Sequence, residues 1–238
     1  MKAIDNLSKE KIKENIKSFK KDCKSLSRYA SFDYCYNYFQ ERHKNGKMID
    51  NIQLSCLQLG FYLASWGMYR GSTFLLQKSV KVFEPLIKYI ASDECDAWDI
   101  DVNEYTDDNI EKLIKCGERI EKELDVHETK KATDTLVTKI MLGVFGNVPA
   151  FDNYFRLGSG LGKFNKHSLS QIKAFYETNS EIISGEAENI KTFEYNNGVK
   201  GNRIYTKAKI IDMVFFIKGL EEDSKKKDAE KLKKLENK

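Results

Sequence analysis

Two stretches of the chain are apolar on nearly every side. Residues 48–70 carry Ile49, Ile52, Leu54, Cys56, Leu57, Leu59, Phe61, Tyr62, Leu63, Trp66 and Met68. A second stretch, opened by Thr206 and closed by Gly219, runs Ile210, Ile211, Met213, Val214, Phe215, Phe216 and Ile217. A helix apolar all round is a buried helix, so both are expected in the core, packed on one another. Sparser spacings of three to five residues predict further helices. Ile4, Leu7, Ile12, Ile16 and Phe19 mark one, and Ser31 opens another that holds Phe32, Tyr34, Tyr36, Tyr38 and Phe39. Helix is expected to continue through 72–91, where Pro85 marks a kink or the first turn of a new helix. Thr106 is expected to cap a helix reaching Leu124. Residues 131–157 read as helix, glycine turn, helix, with Gly143 and Gly146 ending the first and Pro149 starting the second. Gly158, Gly160 and Gly162 suggest a flexible connector. Ser168 and Gln171 fit a capping box for a helix to Ser184, stopped by Gly185. Only Ile190 to Tyr205 alternates, around Asn197-Gly198, the signal of a hairpin.

The pattern therefore predicts a mainly α, compact multi-helix domain with two buried apolar helices and one small β-hairpin near 190–205. Residues 1–28 form a basic N-terminal helix or arm, 29–220 one helical domain, and 221–238 a charged C-terminal tail. Of the 238 residues 41% are hydrophobic, enough for a core without disulfides or metal. No apolar run is long enough to span a bilayer, and no apolar segment follows the lysine-rich start, so no signal peptide is expected. Five widely spaced cysteines without a C-x-x-C pair point to reduced thiols and a cytoplasmic location. His43, His127 and His167 lack metal-ligand spacing. Asp93, Asp96, Asp99 and Asp101 lack the glycine and glutamate of a calcium loop. No metal or cofactor is implied.

Charge is unevenly distributed. Residues 1–28 hold nine Lys/Arg against four Asp/Glu, and 93–130 hold fourteen acids against five bases. Arg70 closes an apolar helix, where a guanidinium needs a phosphate, a carboxylate or carbonyl oxygens as partner. In the middle segment, Lys139 lies on an amphipathic helix and Asp152 in the first turn of the next. Helix, tight turn and helix bring the two within reach. An amine made less basic by burial is a nucleophile, and a neighbouring carboxylate moves protons. The same residues also fit a lysine extended along a packed helix and an aspartate that caps or pairs.

The run Thr138-Lys139, the apolar stretch Ile140 to Val148, then Pro149 and Asp152 resembles the helix-hairpin-helix DNA glycosylase superfamily, closest to short 8-oxoguanine-glycosylase-like members. The likeness covers residues 135–155. It implies an all-helical pair of lobes with DNA in the cleft between them. It also implies Lys139 as the nucleophile at C1′ and Asp152 as its acid–base partner. Trp66–Ser72 and Tyr205–Gly219 look like parts of bacterial proteins with this same middle segment.

Three functions follow. The first is a DNA-binding base-excision-type enzyme, glycosylase or lyase, with Lys139 and Asp152 catalytic. Its basic cleft would draw on residues 1–28, 156–173 and 200–209. Arg70, Arg156, Lys163, Lys166, Arg203, Lys207 and Lys209 would meet phosphates, and Trp66, Phe151 and Tyr154 would line the base pocket. The second is a non-catalytic helical protein that binds a protein partner or itself, favoured by the charge segregation. The third is a nucleic-acid-binding module without catalysis.

Overall fold

The buried centre of the protein is a single unbroken run, residues 136–151, none of which reaches half-exposure. It comprises most of α6 (Asp134–Phe145) and the return segment after it. The computed structural model describes residues 4, 6–71, 73–124 and 132–236. The first residues of the basic segment, Ser72, His127 with the end of the acidic segment, and the last two residues of the tail lie outside the described residues.

Three helices surround α6: α2 (Ala30–Lys44), α3 (Ile52–Ser65) and α5 (Asp107–Leu124). A second group forms on α10 (Lys207–Glu236), where α1 (Lys9–Asp22), α7 (Asn153–Ser159) and α9 (Ser180–Asn189) pack. Short α4 (Glu84–Ile90) and α8 (Lys166–Thr178) complete the domain, with a two-stranded antiparallel hairpin, β1 (Lys191–Phe193) and β2 (Lys200–Ile204). Its turn places Gly198 at φ +66°, as the Asn-Gly signal requires. No helix among the described residues is long and apolar enough to cross a membrane.

The basic N-terminal segment packs as a helix rather than extending as a free arm. Ile12, Ile16 and Phe19 are buried, and Asn15 donates to the Val214 carbonyl of α10 at 3.0 Å. The tail continues α10 through Glu236, and its side chains from Ser224 to Lys231 are exposed. Thr106 caps α5 by accepting from Asn109 N–H at 3.1 Å, and Thr206 caps α10 by accepting from Lys209 N–H at 3.1 Å. Asp101, on the acidic loop, accepts from the N–H groups of Lys207 and Ala208 at 2.8 and 2.9 Å. That loop thus supplies an anion to the N-terminus of α10, where the exposed peptide donors favour one.

Several elements differ from expectation for identifiable reasons. Helix does not continue through 72–91. Gly67 and Gly71 adopt positive φ after α3, and only 3₁₀ turns at Phe74–Gln77 and Val80–Phe83 precede α4. Pro85 sits in the first turn of α4, as one reading of it held. The α3 helix is not buried all round, since Phe61 is 70% and Leu57 45% exposed. Gly143 does not end α6; a Cβ there would lie 2.3 Å from the Tyr62 ring, so it admits α3. Gly146, at φ +70°, is the left-handed cap that ends it. Pro149 starts no helix but lies in the return segment. Asn165, not Ser168, caps α8, and α9 runs through Gly185. Gly158 lies within α7 and Gly160, at φ +77°, caps it, so the connector begins later than expected.

Asp33 of α2 ties the hairpin to the core. It accepts from the Tyr205 hydroxyl at 2.5 Å and from Phe193 N–H at 2.8 Å. Burial is the largest influence on its carboxyl and raises it above the ordinary 3.8, against the opposing pull of those bonds and of Lys200 and Lys209. A carboxyl that holds its proton more tightly folded than unfolded costs stability as pH rises from the ordinary value through the folded one. Asp33→Asn removes that cost, while its misfit with Phe193 N–H adds a pH-independent loss. The stability of the wild type relative to Asp33→Asn should therefore fall as pH rises above about 4 in urea unfolding. A flat or rising difference would contradict the assignment.

Candidate functional site

Two threonines of α6 set the geometry of the site. Thr135 donates to the Phe151 carbonyl at 2.8 Å, and Thr138 accepts from Phe151 N–H at 2.8 Å. Holding both polar groups of one peptide residue folds the return segment back along the N-terminal half of α6. Asp152 consequently lands opposite Lys139, with Nζ 2.8 Å from Oδ2. The other carboxylate oxygen accepts from Tyr154 N–H and Phe155 N–H at 3.1 and 3.0 Å, which makes Asp152 the N-cap of α7 rather than a residue of its first turn. The Lys139 side chain is 5% exposed and that of Asp152 15%.

This pair forms the floor of a cleft of about 510 Å³. Trp66, at the end of α3, lays its ring 5.1 Å from the Lys139 ammonium. Tyr154 forms another wall, packed edge-on against Phe216 at 5.3 Å. The Trp66 indole N–H is buried and has no acceptor among the described residues. Arg28 and Arg70 lie at the mouth. Arg28 stacks over Trp66 at 5.6 Å. Neither arginine makes an ion pair among the described residues. Asp223 and Lys227 of α10, paired at 2.7 Å, complete the rim.

Five of the residues singled out from sequence meet here: Lys139, Asp152, Trp66, Tyr154 and Arg70. Others do not. Phe151 is wholly buried against Phe155 and Phe164, so it is a core residue and lines no base pocket. Lys209 is buried as well, 2.7 Å from Asp212 among the rings of Phe19, Phe32 and Trp66, and offers no charge to a phosphate. Asp212 in turn accepts from Ala150 N–H at 3.0 Å, so this second lysine–aspartate pair anchors the return segment. Arg156 turns toward Asp134 at 3.9 Å. Lys163 and Lys166 are exposed beyond the end of α7, outside the cleft lining. Arg203 lines a separate groove with Tyr34 and Tyr38, and Lys207 lies 3.7 Å from Asp101.

The cleft thus draws little on 156–173 and nothing on 200–209. Sequence reasoning missed Asp223 and Lys227, because nothing in a charged tail shows that its helix continues across the cleft. Arg28 was visible only as one cation of the basic segment. Among the described residues no cluster of His, Cys, Asp and Glu could hold a metal ion, and all five cysteines are buried free thiols. Comparison with known protein families, with curated proteins and with solved structures returns no match.

Proposed function

We propose that the protein acts on nucleic acid as a base-excision-type glycosylase or lyase, with Lys139 as nucleophile and Asp152 as its proton partner. The observation that carries this reading is the Lys139–Asp152 contact of 2.8 Å at the floor of an aromatic-walled cleft, with two arginines at its mouth that make no ion pair among the described residues. Proton transfer across that contact frees the amine to attack C1′ of a nucleoside. The bond from C1′ to the base nitrogen breaks, and the base leaves with a proton returned through Asp152. The same amine condenses with the aldehyde of an abasic sugar, releasing water and forming an imine. Trp66 and Tyr154 offer faces on which an extruded base stacks, and Arg28 and Arg70 suit the flanking phosphates.

Borohydride reduces such an imine to a stable amine. The wild type incubated with an abasic-site duplex and borohydride should give a covalent band that weakens as salt is raised. Lys139→Ala should give none. Binding without a band would leave a nucleic-acid module without this chemistry, and neither band nor binding would remove the nucleic-acid reading. A second reading, a helical protein that binds a partner or itself, rests on the exposed apolar side chains Leu57 and Phe61 of α3. It predicts no trapping, and partner binding or self-association unchanged in folded Lys139→Ala.

A further inference from the structure

Helix α3 is as apolar in composition as α6, yet α6 is enclosed by other helices and α3 keeps one side open. None of the residues Ile52–Ser65 is charged, in a chain of which 32% are. The open side is a stripe. Leu54, Leu57, Phe61 and Ala64 recur at three and four residues and so share one face. Leu57, Phe61 and Ala64 are exposed and Leu54 is half-buried. Gln53 and Gln58 flank the stripe, and neither side-chain amide has a hydrogen-bond partner among the described residues. Exposed Asp50 stands before the helix and exposed Arg70 after it, and neither makes an ion pair among the described residues.

Scattered exposed apolar side chains are ordinary, whereas a contiguous uncharged stripe marks a contact surface. A partner of opposite charge would select the basic α1 or the acidic stretch around α5, not this face. A second copy of the chain fits it. About a two-fold axis a face meets itself, so any charge at its centre would meet its like. The α3 face carries none, and a glutamine amide, donor and acceptor together, can pair with its own copy. We propose that α3 is the interface of a homodimer, two copies packing antiparallel about a two-fold axis beside Phe61. That axis sets Phe61 against the partner's Phe61 and the large Leu57 against the partner's small Ala64, so the helices interlock. It also turns the Asp50 end toward the partner's Arg70 end, where a parallel pair would set like charges together. The proposal rests on the second reading of α3 given above and does not depend on the chemistry assigned to Lys139.

One helix pair buries less than the roughly 1,200 Å² at which stable interfaces begin, so monomer and dimer should exchange at micromolar protein. In sedimentation velocity the wild type should pass from monomer to dimer between about 1 μM and about 200 μM. Phe61→Glu and Phe61→Lys should each weaken the dimer at least about tenfold, because like charges then meet at the axis. Phe61 is exposed, so both variants should keep the wild-type circular dichroism. Their equimolar mixture should recover the dimer, since opposite charges then meet there. Raising salt from about 0.1 M to about 0.5 M should weaken the wild-type dimer less than about threefold, because the centre of the face is uncharged. A monomer at every concentration would overturn the proposal and the self-binding reading together. A dimer unaffected by Phe61→Glu, a dimer dispersed by salt, or a mixture of the two variants that stays monomeric would overturn this interface alone and leave self-association standing.

Discussion

Asp152→Ala should destabilise the protein by about 4 kcal/mol, whereas Asp152→Asn should cost about 3 kcal/mol. The difference follows from the two oxygens of this carboxylate. Oδ1 accepts the Tyr154 and Phe155 N–H groups at the start of α7, and Oδ2 holds the Lys139 ammonium. Alanine removes both roles. It leaves two helix donors unsatisfied, a loss of about 1 kcal/mol, and it strands a lysine that is almost wholly buried, a loss of about 3 kcal/mol. Asparagine keeps an oxygen for the cap, but its amide nitrogen, a donor, then faces the ammonium, so the lysine is still stranded. Urea unfolding of the three proteins, with slopes that stay equal, measures the comparison. A loss below about 1 kcal/mol for Asp152→Ala would show that the pair is not buried as described. The same variants separate fold from chemistry. Asp152→Asn should remain folded at room temperature yet fail in borohydride trapping, because the amide cannot accept the lysine proton.

The central pair was legible because it is local. Lys139 and Asp152 are joined by one helix end and one short return, and that spacing alone brings them near one another. Helix type along α5, the N-terminal part of α10 and the hairpin was legible for a similar reason, through caps and a turn that act within a few residues. What failed depends on distant contacts. Gly143 reads as a helix end until the ring of Tyr62, from α3, is placed against it. The apolar stretch of α3 carries no polar face to show which side stays uncovered, so Leu57 and Phe61 gave no warning of their exposure. Lys209 was counted among surface cations because lysine is usually solvated. A lysine three residues before an aspartate within an otherwise apolar helix was the available signal for a buried pair. Arg203 and Lys207 were grouped with the cleft by charge alone, and charge does not report which side of the hairpin or of α10 a residue occupies.

The second large effect concerns how α7, and with it Asp152, is held. Gly158 of α7 and Gly219 of α10 are points where two helix backbones touch. A Cβ at 219 would lie 1.9 Å from the Tyr154 carbonyl oxygen, and one at 158 would lie 2.1 Å from that of Phe215. Neither obstacle is a side chain that can rotate away, so an added methyl must push α7 off α10. Gly219→Ala and Gly158→Ala should each cost about 3 kcal/mol or more, the upper range for overpacking a close-packed contact. Gly185→Ala is the control. It lies inside α9, has an ordinary helical φ, and its Cβ would meet nothing within 4 Å. It should raise stability by about 0.5–1 kcal/mol, since alanine loses less backbone freedom in a helix. The displacement also bears on function, because α7 begins at Asp152 and carries Tyr154 in the cleft wall. At a temperature where Gly219→Ala is still folded, its trapping yield should fall further than its folded fraction. Stability and trapping indistinguishable from wild type in Gly219→Ala would mean that the two helices do not make this contact, and Asp152 would then need another support.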